Sequence, residues 1–210
     1  MRGFGNLIEG YGRFRANQCS ATRDHWQQLV EGQSPRALIV ACCDSRADPA
    51  TIFDADPGDI FVVRNVANLV PPFEPTEGRD GVSAAIEFAV TQLNVPEIVV
   101  MGHEKCGGIS AVLTGRFHDA RVGEGGLIDR WMSQIDESAR PIAQEHGTGS
   151  EAHRLLEEAA IRQSMANLRT FPFVVAREQN RSLVVLGCHF SIRDGELWVL
   201  DEAEGKVRPV

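Results

Sequence analysis

The 210-residue chain lacks any apolar run near eighteen residues, so no segment reads as a membrane-spanning helix. Its opening, Met1-Arg2-Gly3-Phe4-Gly5-Asn6, leads into a polar amphipathic segment instead of an apolar signal core, and the expected location is the cytoplasm. There is no excess of positive charge. With 21 Lys and Arg against 29 Asp and Glu, the formal charge of -8 argues against nucleic acid or an anionic membrane as the main partner and favours a small-molecule substrate. The chain also lacks a Pro/Ser-rich linker, a low-complexity tract and a repeat, so a single domain over residues 1–210 is expected. A disulfide framework is missing too: Cys19, Cys42, Cys43, Cys106 and Cys188 are odd in number and scattered without a secreted-scaffold spacing. As thiols they suit metal or catalytic work where they cluster with His. Cys43 and Cys188 lack such company and are expected as small buried hydrophobes, Cys43 pointing away from Cys42.

What is present concentrates in two short stretches. Cys42-Cys43-Asp44-Ser45-Arg46 follows the apolar run Ala37-Leu38-Ile39-Val40-Ala41, and His103-Glu104-Lys105-Cys106-Gly107-Gly108 follows Glu97-Ile98-Val99-Val100-Met101. Both runs read as buried parallel strands. If they are neighbours, Cys42, His103 and Cys106 converge at the carboxyl ends of the strands, where open α/β sheets place ligands. Two thiolates and an imidazole form a zinc set with one vacancy, the pattern of catalytic rather than closed structural zinc. Water or Asp44 completes it. Arg46, two residues beyond Asp44, is placed to hold that carboxylate ionised and away from the metal, leaving it free to accept a hydrogen bond from a zinc-bound hydroxide.

Around these stretches the pattern alternates. Further strands are expected at 59–64 and 182–186, and an antiparallel edge strand at 196–200 follows the turn Asp194-Gly195. Helices are expected at 80–93, from Gly107 towards Leu113, at 126–138 and at 151–169, with a loop at Val70-Pro71-Pro72-Phe73-Glu74-Pro75. The fold class is therefore α/β, a mainly parallel sheet flanked by helices. Residues 1–30 form a helical arm carrying Leu7, Ile8, Tyr11 and Phe14, with a second helix at 22–29, and the arm is expected to pack on a partner subunit.

The two zinc motifs, Cys-x-Asp-Ser-Arg and His-x-x-Cys, resemble those of the β-class carbonic anhydrases. Gly32-Gln33-Ser34-Pro35, Phe61-Val62-Val63-Arg64-Asn65-Val66-Ala67-Asn68, Pro71-Pro72 and Ala84-Ala85-Ile86-Glu87-Phe88 are also similar to that family, which extends the specific match over about residues 32–115. The resemblance implies reversible hydration of carbon dioxide to bicarbonate and a proton by zinc hydroxide. Cys42, His103 and Cys106 would bind the metal, Asp44 and Arg46 would form a gatekeeping pair, and Gln33, Phe61, Val66, Phe88 and Gly107 would line the substrate pocket. It also implies a homodimer or a multiple of one, with the site near the subunit interface. Because two thiolates cancel the zinc charge, the bound water should ionise above the ~7 of a three-histidine site.

Two departures stand out. Phe88 occupies a position where plant-like members carry tyrosine. The Trp, Arg and Tyr of the bicarbonate-regulated subgroup are matched by Ile39, Arg64 and Phe190, so Arg64 is expected to pair with an acidic neighbour instead. His25, His118, His146, His153 and His189 carry no motif that places them at the metal, which leaves buffer as the expected proton acceptor. Two other readings share the motifs: a related zinc hydrolase such as a carbon disulfide hydrolase, and a non-catalytic zinc-binding protein.

Overall fold

In the computed structural model, the backbone is described for residues 3–21, 23–75 and 80–210, and for residues 17–23 no side chain is described. The side chain of Cys19 and residue Thr22 therefore lie outside the described residues. Contacts divide the chain into a helical unit ending at Ser34 and a larger unit, Pro35–Val210.

The first unit contains α1 (Phe4–Ala21) and α2 (Arg23–Glu31). Phe14 sits edge-on to Trp26 with ring centroids 5.7 Å apart, joining the two helices. Phe4, Leu7, Ile8 and Tyr11 are each more than half exposed.

The larger unit is built on six strands, β1 (Ala37–Cys42), β2 (Ile60–Asn65), β3 (Glu97–His103), β4 (Val184–Phe190), β5 (Leu197–Asp201) and β6 (Lys206–Pro209). Their order is β2-β1-β3-β4-β5-β6. The first four run parallel, and β5 and β6 are antiparallel. The expected strand at 196–200 is present but internal, because the short β6 pairs beyond it and forms the edge. β1 is buried along its whole length, as its unbroken apolar run requires. From β1 the chain passes outward to β2 on one side and then to β3 on the other. The ends of β1 and β3 thus flank the switch point of the sheet, where a crevice opens.

Helices α3 (Pro49–Ile52), α4 (Gly81–Glu87), α5 (Gly107–Thr114), α6 (Gly126–Met132), α7 (Asp136–His146), α8 (Ser150–Leu168) and α9 (Pro172–Gln179) carry the connections. The helix expected over 80–93 starts on Asp80, whose carboxylate caps Val82 and Ser83, and changes to a π-helical turn at Phe88–Gln92. The one expected over 126–138 breaks at a 3-10 turn, Ser133–Ile135, before α7.

The long α8 matters most for the site. Gly102 on β3 and Gly187 on β4 let it approach the sheet closely. A Cβ at Gly102 would lie 2.8 Å from Ile161, and one at Gly187 2.5 Å from Met165. Ile161 and Met165 are fully buried there, each contributing roughly 1.5–3 kcal/mol of burial.

Candidate metal centre

Cys42 is the last residue of β1 and His103 the last of β3, while Cys106 immediately precedes α5. All three are buried, and their Sγ, ring nitrogen and Sγ atoms lie within 4.8 Å of one another. Among the described residues this is the one group of His, Cys and acidic side chains with metal-binding geometry. The sulfurs are 3.9 Å apart. A tetrahedral zinc with Zn–S bonds of about 2.3 Å would set them about 3.8 Å apart. Nδ1 of His103 is 3.0 Å from the Glu104 carbonyl and donates to it, which leaves the lone pair on Nε2. That Nε2 is buried with no hydrogen-bond partner among the described residues. A buried nitrogen left bare beside two thiols is costly unless something binds it, so the residues fit a soft divalent metal.

Charge is already gathered in this pocket. A hydrogen bond from Cys106 lowers the Cys42 thiol to about 4 against the opposing effect of burial, and the same contact raises Cys106. Burial depresses His103, but the neighbouring Cys42 sulfur, the Glu104 carbonyl and the Asp44 charge outweigh it and the net shift is upward.

Asp44 lies at the edge of this group. One of its oxygens, Oδ2, is 3.9 Å from His103 Nε2, yet the carboxylate is engaged elsewhere. Arg46 donates to it through Nε (2.9 Å), Nη2 (2.7 Å) and its own backbone N–H (2.9 Å). Chiefly through the side-chain bonds, Arg46 holds the Asp44 carboxyl well below the usual carboxylate range. The same Nη2 donates to the Lys105 carbonyl at 3.1 Å, tying the β1 loop to the β3 turn. Lys105 adopts a left-handed φ of 56°, which bends the chain so that His103 and Cys106 face one point.

Arg64 is the clamp that the sequence leaves half described. Its expected acidic partner is Asp48, at 2.6 Å, but its other nitrogens donate to the Cys42 carbonyl (2.9 Å) and the Asp44 carbonyl (2.6 Å).

Of the expected pocket residues, Val66 packs with Cys42 and Cys106, and Gly107 opens α5 directly beyond Cys106. The rings of Phe61 and Phe88 lie tilted against each other with centroids 5.9 Å apart, and Phe61 packs against the larger core cluster. Phe61 and the two thiols belong to different packed clusters. Phe88 is 46% exposed. Gln33 belongs to the helical unit.

Two expectations about the other cysteines divide. Cys188 is buried, and desolvation pushes it up to about 12. Cys43, by contrast, is exposed in the chain. β1 ends at Cys42, so the burial of that strand does not extend to the next side chain.

Glu157 was not anticipated. It is almost fully buried on α8, accepts the Cys106 backbone N–H at 3.2 Å and contacts His189 Nε2 at 3.0 Å. Its one trace in the sequence is an acid lying among Ala152, Leu156, Ala160 and Ile161 on the buried stripe of a helix.

The carbonic anhydrase family model matches residues 37–197. The chain belongs to the β-carbonic anhydrase family. It is an enzyme of that class, 36% identical over 202 residues to a carbonic anhydrase of Pseudomonas aeruginosa, with 94% of this chain and 88% of the relative covered. A Synechocystis carbonic anhydrase is 33% identical over 198 residues, covering 93% of this chain and 70% of its own. The solved β-carbonic anhydrase CcaA superposes with a TM-score of 0.89 at 30% identity over 99% of both chains. A tetrameric β-carbonic anhydrase from Sordaria macrospora gives 0.82 at 28% identity, with 95% of this chain and 98% of that one covered.

Proposed function

We propose that the protein catalyses the reversible hydration of carbon dioxide to bicarbonate and a proton, using one zinc ion held by Cys42, His103 and Cys106. The observation that carries this reading is the convergence of two sulfurs and a bare, buried imidazole nitrogen within 4.8 Å, with a carboxylate held just outside the set. When bound, zinc supplies Lewis acidity that makes hydroxide available near neutral pH.

The remaining work falls to the chain's own residues. Arg46 keeps Asp44 ionised and turned aside, so the carboxylate would not compete for the metal and would be free to accept a hydrogen bond that orients the attacking group. Val66 offers an apolar wall to a nonpolar triatomic substrate, and Gly107 lets it approach the backbone at the start of α5. Gln33 supplies an amide donor for an oxygen as negative charge develops on it. Phe61 and Phe88 complete the lining in a homodimer or a multiple of one. The half-exposed ring of Phe88 and the exposed apolar row Phe4, Leu7, Ile8 and Tyr11 on α1 support that assembly. The proton leaves to buffer. No described helix is long and apolar enough to cross a membrane; the reading places the enzyme in the cytoplasm as a single functional domain.

Stopped-flow hydration of carbon dioxide by protein of measured zinc content tests this directly. The expected result is acceleration that scales with bound zinc. A zinc-replete protein no faster than buffer would overturn the assignment and leave a non-catalytic metal site or a different substrate.

A further inference from the structure

We infer that Glu157 is a positioning residue for the metal centre, and that it acts by holding the backbone of Cys106. This rests on the reading of Cys106 as a metal ligand. The carboxylate comes from the middle of α8, 51 residues beyond Cys106, and its side chain is only 2% exposed. Oε1 accepts the Cys106 N–H at 3.2 Å, and Oε2 lies 3.0 Å from His189 Nε2 on β4. A buried carboxylate with no role is strongly disfavoured, since its desolvation is offset only by the bonds it makes. One bond runs to the turn after β3 that carries Cys106, and the other to β4, the strand beside β3.

The geometry gives the contact a specific purpose. Between His103 and Cys106 the chain passes through the left-handed Lys105, a conformation that costs free energy and persists only when the surroundings fix it. Arg46 fixes the Lys105 carbonyl from one side, and Glu157 fixes the next amide, that of Cys106, from the other. Together they set the direction of the Cys106 Cβ and hence its sulfur. His189 keeps the carboxylate from turning away, and the seats at Gly102 and Gly187 keep α8 near enough for it to reach. The role predicted for Glu157 depends on reach more than on charge.

Two substitutions separate these. Glu157→Asp keeps the charge and shortens the arm by one methylene, whereas Glu157→Gln keeps the arm and an acceptor oxygen but drops the charge. Zinc affinity is measured by chelator competition, together with the thiolate-to-cobalt absorption of the Co(II) form and thermal unfolding of the metal-free form. Glu157→Asp is expected to lose about 10- to 100-fold in affinity, the range for a disturbed outer partner of a metal ligand, with an altered cobalt band. Glu157→Gln should stay nearer the wild type in both, even if the two variants lose equal thermal stability. Wild-type affinity and cobalt spectrum in Glu157→Asp, or an equal loss in Glu157→Gln, would overturn the positioning role. If Glu157→Asp does not fold, His189→Gln replaces it, with a smaller loss expected in the same direction and wild-type affinity counting against the proposal. Failure of the underlying ligand assignment looks different: Cys106→Ala would then retain stoichiometric zinc.

Discussion

The two turns that carry the donor side chains are neighbours at one end of the sheet, yet they are held by opposite charges. After β1, a cation gathers carbonyls: Arg64 takes those of Cys42 and Asp44, with Asp48 as its counterion. After β3, an anion takes an amide: Glu157 accepts the Cys106 N–H, with His189 beside it. The two clamps also differ in solvent contact. Side-chain exposures of 28% and 43% for Arg64 and Asp48 contrast with 2% for Glu157. A strand end presents carbonyls and amides that the sheet does not pair, and one turn is held by a donor while the other is held by an acceptor. Arg46 then joins the turns through the Lys105 carbonyl. On the proposed ligand set the metal would draw one donor from the end of β1 and two from the end of β3 and its turn, so both regions are needed.

The comparison of the two turns can be broken most severely at the proposed ligands. Cys42→Ala and Cys106→Ala should each reduce zinc from about one per chain to near none by metal analysis, because either removes one of three protein donors. Cys43→Ala should retain it. If only one of the first two variants lost zinc, the two turns would not both supply ligands.

A smaller effect is expected from releasing the β1 clamp. Arg64→Ala removes the guanidinium that the Cys42 and Asp44 carbonyls and Asp48 share, and should cost about 2–3 kcal/mol in urea unfolding of the metal-free protein. Arg64→Lys should recover only part of this, since an ammonium cannot reproduce the guanidinium fork. A loss below about 0.5 kcal/mol in Arg64→Ala would show that the β1 turn holds itself.

The mildest change concerns Asp44. Its folded-state pKa is depressed, chiefly by Arg46, so the stability it contributes is present above the unfolded value of about 3.9 and is lost only as pH falls through the lower folded value. In Arg46→Ala the Asp44 midpoint, followed by carboxyl carbon NMR, should rise towards the ordinary range while zinc is retained. An unmoved midpoint would mean that the pairing seen at 2.7 Å does not govern the carboxylate.

Much of this architecture could be read in the sequence because its determinants are local. The unbroken apolar runs of β1 and β3 specify buried strands, and the donors lie immediately beyond them. Asp44 and Arg46 are two residues apart. The β6 strand, Lys206-Val207-Arg208-Pro209, is short and charged, as an edge strand that resists further pairing should be, and so carries no apolar signature. The α9 helix is only eight residues long and escaped notice for a similar reason. Glu157 was hidden because its meaning depends on which turn α8 covers, and that is set by close approach at two glycines far away in sequence. Cys43 was misjudged because a strand's burial was extended one residue past its end.

The donor set itself is open to one direct measurement, zinc-edge X-ray absorption on the purified enzyme. The account predicts a shell of two sulfurs at about 2.3 Å with one imidazole nitrogen and one oxygen at about 2.0–2.1 Å. A shell without sulfur, or one requiring a third, would contradict it.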